Sequence, residues 1–473
     1  MSDTEPAQDF AAGLKDLAVC VAGLGVSGPP VARALLHRGA RVTVVDGRDD
    51  DTTRRTADTL RAEGAEVVLG AHGLPPGTGL VVTSPGWRPD APVLVAAARA
   101  GIEVIGDVEL AWRLAPAGQT WLGITGTNGK TTTVRMLEAM LRADGRDAVA
   151  VGNVGTPIIE AALPGPDGRH PDVLAVELSS FQLHWSSSLR PHAAAVLNLA
   201  PDHLDWHGGT EPYAAAKGRV FGPGTVRVAN AADPWSVRLA TEYGDPGTPL
   251  IRFSLGTPHP GELGVVEDLL VDRAFTGDPG TAEELAALGD VRPPAPHNVA
   301  NALAAAALAR SVGVAPESVR AGLRAFAPEP HRIAGVATVA GVDYIDDSKA
   351  TNPHAAAASL AAYPAIVWIA GGLLKGAEVD DLVREAAPRL RGVVLLGRDR
   401  ARLRTALAAH APDVPVTDIE ETGDTAMDLA VTAAAGLAGP GDTVLLAPAA
   451  ASMDMFENYT VRGRRFAEAV ARL

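Results

Sequence analysis

The stretch GITGTNGKTTT, Gly123 to Thr133, limits what this chain can fold into more than any other part of its 473 residues. It lies between the strand-like run WLGIT and a helix-like segment. A loop with so little side-chain bulk leaves several backbone N–H groups free to face phosphate oxygens. Lys130 adds charge toward the β and γ phosphates, and the Thr131 hydroxyl can reach a magnesium ion. The spacing is a variant of the general phosphate-loop pattern, since position 124 is Ile rather than Gly. The rival reading is a glycine turn with an incidental lysine. As a phosphate-binding loop, the stretch calls for an α/β sheet around it.

The rest of the chain meets that demand. From Leu17 an apolar run is followed by a glycine turn, GLGVSG (Gly23, Gly25, Gly28), a helix-like stretch from Pro30 to Arg38, and the run RVTVVD ending in Asp46. This is a β-α-β unit with an acidic residue closing its second strand, as in a dinucleotide-binding fingerprint. From the residues alone it reads as an NAD or FAD site or as a purely structural turn. AEVVLG, LVVTSPG and IEVIGD continue the pattern, with TSPG at a strand end where open α/β sheets bind ligands. Apolar runs also end in Glu177 and precede His203, DDSKATNPH, GGLLKG and PAAASMDMF.

At roughly 150 residues per domain the length allows about three domains. Strand-helix alternation makes all three α/β with mainly parallel sheets. The predicted boundaries are 1–109, 110–327 and 328–473, the last set by the prolines of FAPEPHRI. A hinge is expected at 327–331.

Composition removes several function classes. Lys plus Arg is 41 against 56 Asp plus Glu, a net charge of −15, which argues against a non-specific nucleic-acid binder. With 47% hydrophobic and 21% charged residues the chain has packed cores rather than disorder. The single cysteine, Cys20, lies in an apolar run and reads as a buried, inert thiol. MSDTEPAQDF has no basic or apolar leader, and no later run suits a membrane span, so a cytoplasmic location is expected.

Several residues stay ambiguous on their chemistry alone. Glu177, ending an apolar strand, could serve a cation or a hydrogen-bond network. His203 reads more simply as a surface-loop histidine, and Lys217, in YAAAKGRVF, as a solvent-facing helical lysine. DDSKATNPH could bind a nucleotide and an anionic substrate, or could be a helix start capped by Ser348 or Thr351.

Taken together, GLGVSG, TSPG, TGTNGKTTT, VGNVG, ELSSFQL, DHLDWH, HNVANALAA, DDSKATNP and PAAASMDMF resemble the Mur ligases over essentially the whole chain. These are ATP-dependent amide-bond-forming enzymes of peptidoglycan precursor synthesis. Asp347 to Asn352, DSKATN, is similar to the branch that adds D-glutamate. The resemblance implies a Rossmann-like UDP-binding domain, a central P-loop ATPase-type domain and a C-terminal Rossmann-like domain. It implies ligation of UDP-N-acetylmuramoyl-L-alanine to D-glutamate through an acyl phosphate, with ATP and two Mg²⁺ sites. Lys130, Glu177, His203 and Lys217 match catalytic positions. Thr131, Glu177, His203 and Lys217 match metal positions, Lys217 as a CO₂-derived carbamate. Gly126, Thr127, Asn128, Gly129, Lys130, Thr131, Thr132, Asn298, Arg332 and Asp347 match ATP contacts. Val26, Ser27, Asp46, Arg48, Ser84, Gly86 and Asn153 match contacts to the UDP substrate. Lys349, Thr351, Lys375, Ser452 and Tyr459 match D-glutamate contacts.

Three positions depart from the family pattern: Gly47 where a hydroxyl residue often follows the acidic one, Leu373 where an Asp often sits, and Tyr459 for a common Phe. A monomer with small-molecule substrates, neither inserted in membrane nor bound to nucleic acid, is expected. The same architecture could add another amino acid such as L-glutamate. An NAD-dependent oxidoreductase would leave GTNGKTTT unexplained, and a non-catalytic scaffold would bind ATP without releasing phosphate.

Overall fold

The structure is a computed structural model that describes residues 4–473 apart from residue 424. The chain forms two compact units, Met1–Val291 with Ala300–Phe326, and Arg292–Val299 with Ala327–Leu473.

The first unit holds two sheets. One comprises β1 (Ala18–Ala22), β2 (Arg41–Asp46), β3 (Glu66–Leu69), β4 (Leu80–Thr83) and β5 (Glu103–Gly106). Their order is β3-β2-β1-β4-β5, all parallel. The order reverses beside β1, which opens a crevice at the carboxyl ends of β1 and β4. The helix after β1 runs Gly28–Leu36, starting two residues before the expected Pro30, because the prolines at 29 and 30 sit in its first turn where no N–H is needed.

The second sheet comprises β6 (Thr120–Thr125), β7 (Ala148–Gly152), β8 (Val173–Glu177), β9 (Ala193–Val196), β10 (Val226–Asn230), β11 (Leu250–Phe253), β12 (Glu262–Val266), β13 (Leu269–Asp272) and β14 (Glu283–Ala287). β7-β8-β6-β9-β10-β11-β12 are parallel, and β13 and β14 add an antiparallel meander at one edge. The central strands β8 and β9 are buried along their whole length and read as apolar runs, β8 closing on Glu177, as burial on both faces requires. One apolar cluster runs through both sheets of the unit, from Val21 and Leu35 to Val176 and Phe221. The boundary expected at 109/110 falls inside the helix Asp107–Leu114, whose Val108, Leu110 and Ala111 are in that shared core.

The second unit has β15 (Ala334–Val339), β16 (Val342–Asp346), β17 (Ile366–Gly371), β18 (Leu390–Leu396), β19 (Val416–Asp418) and β20 (Thr443–Leu446), ordered β15-β16-β20-β17-β18-β19. Only the β15–β16 hairpin is antiparallel. Apolar clusters cover both faces, around Trp368 and Leu395 on one and Ile369 and Phe466 on the other. Arg292–Val299, expected in the central domain, belongs to this unit. Its His297 is half-buried, and desolvation of the ring pushes the imidazole down to about 4.

Candidate active site

Between β6 and the helix Lys130–Ala143 the chain turns through Gly126 and Gly129, both with positive φ (156° and 85°). Gly129 is the residue before the helix and offers no side-chain cap, so the first N–H groups of the helix are left for an anion. A Cβ there would also lie 2.4 Å from Asn301 Oδ1, so the close approach of Asn301 requires glycine. Lys130 Nζ donates to the carbonyls of Gly126 and Thr127, both at 2.9 Å, inside its own loop. Asn128 N donates to Asn198 Oδ1 (2.9 Å), and the Thr127 hydroxyl lies 3.0 Å from that of Tyr213. Thr131 and Thr132 are half-buried in the first helical turn.

Glu177 ends β8, next to β6 in register, and is 2% exposed. Its Oε1 accepts from Asn153 Nδ2 at 2.9 Å, while Oε2 is buried without a partner. An unpaired carboxylate oxygen in a dry site is costly unless a cation completes it. Lys217 contradicts its solvent-facing reading. It is 1% exposed, its Nζ donates to Gly126 O at 2.8 Å, and it sits 4.8 Å from the centre of the Tyr213 ring. Burial and the nearby Lys130 charge hold this amine well below the usual lysine range, with Asp202 and Glu177 opposing them. Two lysines thus share the Gly126 carbonyl, an arrangement that anionic oxygens would relieve.

His203 stands apart from that cluster. It has a left-handed backbone (φ 52°) after β9, its side chain is 43% exposed, and its ring packs 4.7 Å from that of Phe181. Among the described residues no three His, Cys, Asp or Glu side chains gather to hold a metal. Any ion here therefore needs the Thr131 hydroxyl, Glu177 Oε2, phosphate or carbamate oxygens, or water. The orphaned Glu177 Oε2 fits such an ion.

The crevice of the first sheet opens into a cavity of about 1010 Å³. All seven residues matched to the UDP substrate line it: Val26, Ser27, Asp46, Arg48, Ser84, Gly86 and Asn153. Gly28 makes the turn possible, since a Cβ on it would lie 1.9 Å from Gly23 O. Burial raises the Asp46 carboxyl, but hydrogen bonds from Arg48 and Leu24 outweigh it and hold the group below the usual range. His72, Trp87, Arg88, Ser179 and Phe181 also line the cavity and were not singled out from sequence.

In the second unit, Asp346 ends β16 and Asp347 directly follows it, and both are buried. Asp347 accepts from Ile333 N at 3.3 Å and from the Ser359 hydroxyl, and burial pushes its carboxyl up to about 6. Arg332 Nε pairs with Glu329 at 3.3 Å. Asn298 is buried and its amide donates to Pro293 O at 3.2 Å. Lys349 Nζ lies 3.9 Å from the centre of the Tyr459 ring, a cation–π contact. Ser348 is not the expected helix cap, and neither is Thr351. Asn352 takes that place, accepting from Ala355 N at 2.8 Å. Ser348 instead accepts from the buried guanidinium of Arg462 and donates to Tyr459 O. Lys375 is exposed with φ 52°, Thr351 is half-buried and Ser452 is buried.

Comparison with known proteins agrees with this layout. Residues 17–106 match the Mur ligase MurD-like N-terminal domain, 124–309 the Mur ligase middle domain, and 331–450 the Mur ligase glutamate ligase domain. The UDP-N-acetylmuramoylalanine–D-glutamate ligase of Thermobifida fusca is 72% identical over 97% of this chain and 99% of its own length. The chain belongs to the Mur ligase family. A protein of the same name from Streptomyces avermitilis is 60% identical over 96% of this chain and 97% of its own. The family fold is also seen in the UDP-N-acetylmuramate-alanine ligase of Thermotoga maritima, 19% identical with a TM-score of 0.57 over 96% of this chain and 99% of that one. A pseudomurein peptide ligase type C from Methanothermus fervidus gives 18% and 0.56 over 96% and 99%. Among the described residues no helix is long and apolar enough to cross a membrane.

Proposed function

We propose that this Mur ligase joins UDP-N-acetylmuramoyl-L-alanine to D-glutamate, with conversion of ATP to ADP and phosphate. The observation that carries this reading is the 72% identity over nearly full length to a relative named for that reaction. The alanyl carboxylate is a poor electrophile, and phosphorylation supplies its leaving group. An oxygen of the carboxylate bonds to the γ-phosphorus as the bond to ADP breaks. The D-glutamate amine then attacks the acyl carbon, loses a proton, and the C–O bond breaks to release phosphate. Both steps crowd anionic oxygens together, so cations and positioning carry the catalysis.

Each group has a part in that scheme. The glycine loop and Lys130 hold the ATP phosphates, with Lys130 exchanging its loop carbonyls for phosphate oxygens. Asn298, Arg332 and Asp347 contact the nucleotide. The residues lining the first-sheet cavity hold the UDP moiety, with Asn153 toward the muramoyl-alanine end. Lys349 and Lys375 pair with the two carboxylates of D-glutamate, beside Thr351, Ser452 and Tyr459. Magnesium, when bound, neutralises phosphate charge. Thr131 and Glu177 are assigned to one ion, and His203 and Lys217 to a second.

Lys217 is assigned as a carbamate. Its amine, once neutral, adds to CO₂, forming an N–C bond and releasing one proton, which turns the neutral amine into an anion with two oxygens. The buried amine beside Lys130 supports this assignment. We place three domains, with the first boundary in the region of the helix Asp107–Leu114 and Arg292–Val299 counted with the C-terminal domain, and the enzyme acts as a cytoplasmic monomer.

Phosphate release from ATP with UDP-N-acetylmuramoyl-L-alanine tests the reading, with D-glutamate, L-glutamate and diaminopimelate compared as acceptors. Release that requires D-glutamate is expected. Preference for another amine overturns the specificity, and no release with any of them overturns the ligase reading.

A further inference from the structure

Asp46 and Arg48, the two charged groups at the end of β2, are engaged with each other. The Asp46 carboxylate accepts from Arg48 N (2.9 Å), Arg48 Nε (3.0 Å), Arg48 Nη2 (2.8 Å) and Leu24 N (2.7 Å). A carboxylate has about four acceptor positions, so none is left for a ligand's N–H. His72, on the same cavity wall, is exposed and makes no hydrogen bond to the described residues. Its ring occupies the space a side chain at position 47 would take. A Cβ on Gly47 would lie 2.4 Å from His72 Cε1 and 3.0 Å from Nδ1. Gly47 has no positive φ, so the backbone does not require glycine there. The ring does.

We propose that His72 reads the pyrimidine base of the nucleotide sugar, donating an imidazole N–H to a base carbonyl, and that Gly47 stays small so the ring can lie on that wall. This rests on the cavity being the UDP site. In a doubly wound sheet the end of the second strand is where the nucleoside lies, so the wall formed by Asp46, Gly47, Arg48 and His72 is the one a base meets. Uracil presents a carbonyl at C4 and an N–H at N3, where cytosine presents an amino group and a bare ring nitrogen, so a donor facing the C4 carbonyl discriminates between them. An unfilled donor–acceptor match in a site built for one costs about tenfold or more.

The test uses the full chain, with UDP and CDP as calorimetric probes and steady-state kinetics on the nucleotide-sugar substrate. His72→Ala is expected to raise KM for that substrate about tenfold and to leave KM for ATP unchanged, with kcat moving less than about twofold. It should also shrink the preference for UDP over CDP, and His72→Gln, which keeps a donor, should restore part of it. Gly47→Ala should reproduce the KM effect by displacing the ring, and the double variant should be no worse than either single one. Unchanged KM and an unchanged UDP/CDP ratio in His72→Ala would overturn the assignment. Additive effects in the double variant would overturn the role of Gly47. Failure of the wild-type chain to bind UDP would instead overturn the nucleotide-sugar reading of the cavity.

Discussion

Replacing Asp347 by Asn should make the second unit more stable at neutral pH and remove much of its pH dependence. Burial pushes this carboxyl up to about 6 from an ordinary value of 3.8. For an acid whose folded pKa is raised, the folded state holds the proton more tightly. Stability is then fully present below the unfolded pKa and declines as pH rises through the folded one. The difference of about two pH units corresponds to roughly 3 kcal/mol at about pH 8, falling to roughly 0.5 kcal/mol near pH 4. Asparagine keeps the shape, its Oδ1 able to accept from Ile333 N and its Nδ2 to donate to the Ser359 hydroxyl, so it removes the charge without opening a cavity. The gain should therefore be about 2–3 kcal/mol larger near pH 8 than near pH 4. Hydrogen exchange at Val342–Asp346 and Ile366–Gly371, followed by mass spectrometry across that range, reads the unit's own stability. Parallel pH profiles for the two proteins would refute the reasoning.

Three further substitutions test the first unit. Lys130→Ala should lower phosphate release by at least about a thousandfold while UDP binding, measured by calorimetry, stays within about twofold. Lys217→Ala should lose activity by about a hundredfold or more. Short carboxylates added to the assay should restore part of it by supplying the missing oxygens, and full activity without them would exclude a carbamate. Gly129→Ala forces alanine into a left-handed backbone, which costs about 1–2 kcal/mol. It also pushes Asn301 away from the loop, so KM for ATP should rise and the melting temperature fall.

Much of this architecture is legible in the sequence because its signals are local. The strand-loop-helix around GTNGKTTT and the β-α-β unit around GLGVSG are set by glycines whose turns admit no Cβ, as Gly28 shows against Gly23 O. Glu177 stands at the end of an apolar strand and is buried there. Lys217 is different. Its helix, Thr210–Gly218, is nearly all small or polar, so periodicity points to no buried face. The available clue is Tyr213, four residues earlier and therefore on the same side, which is also buried.

Other features escape local reading because distant segments create them. The helix cap falls at Asn352 rather than at Ser348 or Thr351, and all three residue types can cap. The choice falls to Asn352 because Ser348 is held by Arg462, more than a hundred residues away in sequence. Arg292–Val299 groups with the C-terminal sheet although its residues 296–299 open the helix Pro296–Ser311, whose remainder lies in the first unit, which no local pattern encodes. His72 carries no motif, and only the folded chain sets it against Gly47.

The central claim is that the alanyl carboxylate is activated by phosphorylation before the amine attacks. The most direct measurement labels that carboxylate of UDP-N-acetylmuramoyl-L-alanine with heavy oxygen and determines the mass of the phosphate released in the presence of ATP and D-glutamate. The account predicts phosphate carrying one heavy oxygen, together with an amide product that has lost one. Unlabelled phosphate, with the heavy oxygen lost from the carboxylate appearing in water instead, would contradict it.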